Sequence, residues 1–226
     1  MQTVIISGGS DGLGRALAQQ LKAKYQVIIL SPTADKVEKV AQQLGVDYQV
    51  CDVSQYQQCG DVVGHVVRKY GTVDHLINNA GIWIEGELEE NDPAWIEQVV
   101  RVNALGPVFL TKAAIPVMKK QGYGTILNVN SQAGFYAKEK RTVYTLTKWA
   151  VTGFTKSLQP ELAKYGIRVT DIHPGKMVTN LFDRVGIKKD LSDALDPVYV
   201  AEIIEAVLQL PKEVVIPELG IKYIKN

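Results

Sequence analysis

A tyrosine and a lysine, Tyr144 and Lys148 in the run Tyr144-Thr145-Leu146-Thr147-Lys148, are the residues in this chain best suited to moving a proton. Four positions apart on a helix, they share one face. A free phenol has a pKa of about 10 and is a poor acid or base near neutrality, but a cation within a few ångströms stabilises the phenolate and lowers that value. A tyrosine so tuned exchanges a proton with an alcohol or a carbonyl. The same spacing occurs by chance on many amphipathic helices, so the pair takes its meaning from the rest of the chain.

The elements that must position such a pair are legible upstream. Thr3-Val4-Ile5-Ile6 is a short apolar strand that runs into Ser7-Gly8-Gly9-Ser10-Asp11-Gly12-Leu13-Gly14, and Arg15 to Leu21 then has helical periodicity. Glycines permit positive φ and close approach of a pyrophosphate, and the helix N-terminus offers unpaired N–H groups with a favourable dipole. Strand, glycine turn and helix in that order form the context a dinucleotide fingerprint requires. Ser131 follows the apolar segment Gly124–Asn130, where a strand would deliver it to the carboxyl edge of a parallel sheet, the edge at which α/β folds place ligands.

Together these features resemble the short-chain dehydrogenase/reductase family. The resemblance is carried by Gly8-x-x-x-Gly12-x-Gly14, Asp52-Val53, Asn78-Asn79-Ala80-Gly81, Asn103, Ser131, Tyr144 with Lys148, and Pro174-Gly175 followed by Thr179, and it covers nearly the whole chain. It implies a single-domain Rossmann fold over residues 1–226, a doubly wound and mostly parallel sheet flanked by helices on both faces. It also implies a catalytic set of Asn103, Ser131, Tyr144 and Lys148. The cofactor set implied is Gly8, Ser10, Asp11, Gly12, Leu13, Gly14, Ser31, Asp52, Val53, Asn79, Ala80, Gly81, Tyr144, Lys148, Pro174, Gly175, Met177 and Thr179.

Composition agrees. The 226 residues are 46% hydrophobic and 22% charged, enough for a large buried core. Apolar runs at Val27–Leu30, Val73–Ile77, Gly124–Val129 and Ile167–Ile172 predict buried parallel strands, with crossover helices between them and a last strand over Glu213–Pro217. No linker, repeat or low-complexity tract divides the chain. A formal net charge of +1 gives no electrostatic case for nucleic acid, and the absence of a signal core or bilayer-length apolar span predicts a cytoplasmic protein without a membrane partner.

Cys51 and Cys59 are expected to be incidental thiols. His65 and His75 suggest helix-surface or local hydrogen-bonding roles; His173 precedes Pro174-Gly175 and is expected to support that turn. No cysteine or carboxylate cluster surrounds it at ligand spacing, so no metal site is expected. Trp83, Trp95 and Trp149 could line a cleft or pack in the core.

Cofactor preference turns on the end of the second strand, where an acid would bind the ribose diol and Ser31 stands instead. The missing carboxylate favours NADP(H) over NAD(H); Pro32 and the negative charge of Asp11 count against it, while Thr33, Arg15 and Lys36 offer donors or charge. In the family, Asp52 and Val53 contact adenine, although Asp52 and Ser54 are also good helix N-caps. The resemblance further assigns Lys148 to the nicotinamide ribose and Asn103 to a water-linked proton route, against the alternative that Asn103 marks a helix kink near Gly106 and Pro107.

The expected reaction is hydride exchange between the nicotinamide and a small-molecule carbonyl or alcohol, with Tyr144 as general acid/base and Ser131 holding the reacting oxygen. A segment at about 176–195 is expected to cover the substrate. Lys138-Glu139-Lys140-Arg141 either makes a cationic mouth for an anionic substrate or is a solvated loop. Trp149, Val151, Phe154 and Leu158 either face the sheet or join a homodimer or homotetramer of the kind the family forms. A dinucleotide-sensing protein without useful turnover, and an epimerase or dehydratase on the same scaffold, are the alternatives.

Overall fold

Residues 1–224 are described by a computed structural model; the last two positions of the expected span lie outside them. The strands are β1 (Thr3–Ser7), β2 (Gln26–Ser31), β3 (Asp47–Val50), β4 (His75–Asn78), β5 (Gly124–Val129), β6 (Ile167–Pro174) and β7 (Glu218–Ile221). They form one sheet in the order β3-β2-β1-β4-β5-β6-β7 with every pairing parallel. The order reverses between β1 and β4, so a crevice opens there at the carboxyl edge.

Alternation along the strands sorts side chains to two faces. In β1, Val4 and Ile6 join one core cluster and Ile5 the other. The first face is covered by α1 (Gly12–Leu21), α2 (Ala34–Leu44) and α7 (Pro197–Leu208), the second by α3 (Tyr56–Tyr70), α5 (Gly106–Gln121) and α6 (Thr142–Ala163). The sheet is therefore doubly wound, a Rossmann arrangement whose inner strands are apolar on both sides because both sides are buried. A third cluster, around Trp83, Val143, Tyr144 and Phe182, sits above the crevice, where α4 (Pro93–Val100) packs on α6.

The strand expected at Glu213–Pro217 is displaced. Val214 and Val215 are 44% and 43% exposed, and the carbonyls of Pro211 and Val214 instead accept from the Arg168 guanidinium. Pro217 has no N–H to give a ladder, so pairing begins with its carbonyl, which accepts from Asp171 N, and β7 follows. The strand predicted from Val73 likewise starts later, at His75. Among the described residues no helix is long and apolar enough to cross a membrane.

Candidate active site

The glycine turn joins β1 to α1 and is shaped by contacts that leave no room for side chains. Gly8 has φ +67°, and a Cβ there would lie 2.9 Å from Ala80 Cα. At Gly14 a Cβ would come within 2.2 Å of Gly8 O, so the helix can approach the turn only as glycine. Asn79 fastens the turn from β4's end: its N–H donates to Ser7 Oγ at 2.9 Å and its side-chain Nδ2 to Ser7 O at 2.9 Å. Deeper in the sheet, buried Asn78 donates to Asn128 Oδ1 and Thr111 Oγ1.

Asp11 caps α1, accepting from Gly12 N at 2.8 Å. The same carboxylate receives Lys36, Asn180 Nδ2 at 2.6 Å and Arg184 Nη2 at 2.6 Å. Burial opposes its ionisation, but these donors prevail and hold the carboxyl far below the usual range. The charge that counted against a phosphate in the sequence is thus countered by two cations. It also ties the segment after β6 down over the glycine turn. That segment forms a loop whose ends are joined by a parallel bridge between Met177 and Leu195.

Ser131 stands two residues past β5, extended, with its Oγ accepting from Ala133 N at 3.1 Å and so capping a short 3-10 turn. Tyr144 lies in the first turn of α6 with the Ser131 hydroxyl near enough to favour its ionised form; Lys148, one turn on, donates to Val129 O at 3.3 Å. The expectation that Lys148 lowers the tyrosine pKa is not met here. Burial pushes Tyr144 up to about 12, and the opposing pulls come from the Ser131 hydroxyl and the charge of Arg141. The lysine ammonium is 5.7 Å from the Tyr144 ring centre and turned toward Val129, and burial brings it down to about 8. Trp83 lies against Tyr144 with ring centres 4.3 Å apart, and Phe182 meets Trp83 edge-on at 4.8 Å.

Asn103 is buried inside a π-helical turn, Arg101–Leu105, that interrupts the passage from α4 to α5. Its amide brackets the backbone of Ile82, accepting from Ile82 N at 2.8 Å and donating to Ile82 O at 2.9 Å, and reaches Thr147 Oγ1 at 3.4 Å. The helix irregularity expected as the alternative is real, and it is what turns Asn103 toward the crevice edge.

One cleft gathers Gly8, Asp11, Gly12, Leu13, Asn79, Ala80, Gly81, Tyr144, Lys148, Met177 and Thr179 from the expected cofactor set. Other members stand back from it. Ser10 Oγ donates to Ser31 Oγ at 3.0 Å at the end of β2; Val53 packs where a Gly106 Cβ would be; Gly175 N donates to Ile221 O. Pro174 closes β6. Asp52 accepts from Ser54 N at 2.9 Å but does not cap α3, whose N-cap is Gln55. The cleft also takes in Ile82, Asn130, Asn180, Leu181 and Arg184, which sequence reasoning did not single out. Asn180 and Arg184 lay in the expected covering segment, yet only the fold shows that they reach Asp11.

His173 braces the segment after β5, its Nδ1 2.9 Å from Ser131 O and its ring stacked on Phe135 at 3.7 Å, while the Pro174-Gly175 turn is tied by Gly175 N donating to Ile221 O. The absence of neighbouring carboxylates has to be corrected. Asp171, two back on the same strand, and Glu218, from the adjacent β7, bring oxygens within 3.2 Å and 3.3 Å of His173 Nε2. Of the tryptophans, Trp83 is buried against Tyr144 and does not line the cleft, Trp95 donates to Trp83 O, and Trp149 is 53% exposed, so it fits neither cleft nor core. In the basic stretch Lys140 pairs with Glu87, while Arg141 leans over Trp83 and toward Glu85. Cys51 and Cys59 are free and buried.

A family model described as short chain dehydrogenase matches residues 2–190. An uncharacterized oxidoreductase of Staphylococcus saprophyticus is 30% identical over 98% of this chain and 97% of its own. Trans-4-hydroxycyclohexanecarboxylate dehydrogenase of Sinomonas cyclohexanicum is 32% identical, covering 83% of this chain and 76% of its own. Among solved structures, an alcohol dehydrogenase from the archaeon Thermococcus sibiricus, complexed with 5-hydroxy-NADP, superposes with a TM-score of 0.91 at 28% identity over 100% of this chain and 98% of the other. With the glycine turn, the switch-point cleft and the Ser131–Tyr144 pair already in view, this match makes the chain a member of the short-chain dehydrogenase family, an NAD(P)-dependent oxidoreductase.

Proposed function

We propose that this protein is an NADP(H)-preferring carbonyl reductase or alcohol dehydrogenase in which Tyr144 is the general acid/base. The observation that carries the reading is that Tyr144 and Lys148 line the glycine-turn cleft together, with the Ser131 hydroxyl near enough to Tyr144 to favour its ionised form, so that a proton donor and an oxygen-binding hydroxyl stand beside the place a dinucleotide would occupy. The cleft suits a dinucleotide. Gly8 and Gly14 are free of Cβ atoms that would collide within the turn, and the N-terminus of α1 favours a pyrophosphate. Gly12, Leu13, Asn79, Ala80, Gly81, Met177 and Thr179 would hold it, with Lys148 toward the nicotinamide ribose. When bound, the cofactor supplies or accepts the hydride.

Tyr144 then gives its proton to the substrate oxygen as negative charge develops there, or takes it back in the oxidative direction. A phenol held near 12 is fully protonated at neutral pH and so is stocked for the reductive step. Ser131 orients the same oxygen from a fixed main-chain position, so its donor needs no reorganisation during reaction. Asn103 acts as a positioning residue: both ends of its amide are engaged with Ile82, so it fixes the π-helical turn beside any water-linked route to Lys148. Leu181 lines the cleft and Trp83 and Phe182 pack beside Tyr144, an apolar surround that suits a compact carbonyl or alcohol such as the ring alcohol, with its carboxylate, named for the Sinomonas enzyme.

The preference for NADP(H) is supported by Ser31 in place of an acid, by Lys36 and Arg184 beside the turn, and by the NADP analogue in the archaeal relative. The test is a fluorescence titration with NADPH and NADH, followed by absorbance loss with a panel of ketones, aldehydes, quinones, β-keto thioesters and ring keto acids. Tighter NADPH binding with substrate-dependent oxidation is expected; binding without turnover across the panel would favour a sensor. Ser31→Asp should restore repulsion against the 2′-phosphate and raise the NADPH Kd relative to NADH by tenfold or more, a change of about 1.4 kcal/mol. An unchanged ratio would remove Ser31 from the selectivity.

A further inference from the structure

We propose that Asp171, His173 and Glu218 form a binding site for one divalent transition-metal ion of the zinc class, tying β7 to β6 behind Ser131. The three side chains offer one ligand atom each, all within 4.8 Å of one another. His173 is fully buried and Asp171 nearly so, while Glu218 is one-third exposed and leaves a way in.

The hydrogen-bond inventory of the imidazole carries the inference. Ser131 O can only accept, so Nδ1, 2.9 Å away, holds the ring hydrogen. Nε2 then points between Asp171 Oδ2 at 3.2 Å and Glu218 Oε1 at 3.3 Å, and among the described residues it makes no aligned hydrogen bond. Asp171 Oδ1 and Glu218 Oε1 are also buried without a hydrogen-bond partner there. Acceptors converging in a buried space call for a positive centre between them. A single proton shared along one line serves two of the three, whereas a metal ion serves all at once.

Both distances from the imidazole match a metal shell: nitrogen and oxygen ligands at about 2.0–2.2 Å from zinc, with bond angles from octahedral to tetrahedral, stand roughly 3.0–3.5 Å apart, as His173 Nε2 does from Asp171 Oδ2 at 3.2 Å and from Glu218 Oε1 at 3.3 Å, and the two carboxylates lie within 4.8 Å of each other. The surrounding shell has the form metal sites use. The far ring nitrogen of His173 donates to a backbone carbonyl, and Asp171 Oδ2 accepts from Asn130 Nδ2 at 3.1 Å. A histidine with two carboxylates and an open solvent side fits Zn²⁺ or Mn²⁺ better than a soft, thiolate-seeking ion. Lys156 Nζ, 3.5 Å from Glu218 Oε1, competes for that carboxylate, but the lysine side chain is 58% exposed and such a contact is readily given up. Because β6 ends at Pro174 and His173 holds the Ser131 carbonyl, the ion would stiffen the floor of the site without touching the reacting atoms.

The test uses the full chain, stripped with chelator and titrated calorimetrically with Zn²⁺, and with Mn²⁺ followed by electron paramagnetic resonance. One Zn²⁺ per chain with a Kd near or below about 1 μM is expected. Glu218→Gln and Asp171→Asn should each weaken it at least tenfold with the far-UV spectrum unchanged. Lys156→Ala keeps every ligand and should tighten binding, which tests the site independently of any folding defect in the ligand variants. A Cys51→Ala, Cys59→Ala protein should bind as wild type does. No saturable binding up to about 100 μM Zn²⁺, or binding indifferent to both ligand variants, would overturn the site.

Discussion

At the residue scale the site is governed by burial more than by the neighbouring ammonium. Tyr144 is 7% exposed beneath Trp83, and losing water raises its pKa, while the same burial lowers that of Lys148. Each group is thereby held closer to its neutral form, which is the form a proton donor to a carbonyl needs in the tyrosine. His75 shows the same physics away from the cleft. Buried in β4 with its ring edge against Tyr25, it is pushed down from 6.5 to about 4, chiefly by burial and further by the charge of Arg168, against the opposing pull of Asp74. Between those values the unfolded chain takes up a proton that the folded one refuses. Stability is therefore fully present above pH 6.5 and falls as the pH drops toward 4, by an amount on the order of 3 kcal/mol. Urea midpoints at pH 7 and pH 4.5 should differ more in wild type than in His75→Gln; equal differences would show that other groups set the acid limb.

At the element scale the decisive joint is the meeting of β1, the glycine turn and α1. Gly14→Ala puts a methyl group against Gly8 O, a backbone atom that cannot swing away, so the turn and helix must separate. Overpacking of this kind costs about 1–3 kcal/mol, and the same shift should cut NADPH affinity. A thermal midpoint and a fluorescence titration would show both losses; retention of both would mean the joint is soft. This unit was readable from the sequence because period-two and helical patterns meet at glycines. So were the buried strands, whose apolar runs cannot be anything exposed. Less legible were features set by partners distant in sequence. β7 begins only where Pro217 ends, after its apolar predecessor Val214-Val215 has been diverted around Arg168. The π-helical turn at Asn103 depends on the Ile82 backbone, and the Asp11–Arg184 contact on the path of a covering loop. Tyr144, Lys148 and Ser131 were found by type and spacing, but the direction of the tyrosine shift required knowing how deeply it is buried.

At the scale of the whole molecule, the sheet gives the site its place and the helix surfaces set how copies of the chain meet. Val151 and Leu158 face the sheet, whereas Leu146 and Trp149 stand 56% and 53% exposed on α6 and share a face at i, i+3 spacing. Large apolar groups so exposed suit a subunit contact. Light scattering should find a dimer or tetramer, and Trp149→Glu should shift it toward smaller species; a wild-type monomer would contradict that assembly. The account as a whole stands on Tyr144 as the group that exchanges the proton. Steady-state turnover of Tyr144→Phe with the best substrate, alongside an NADPH titration of the same preparation, tests it most directly. The variant should bind NADPH as wild type does while kcat falls by about 10²–10⁴-fold, and turnover within a few-fold of wild type would contradict the assignment.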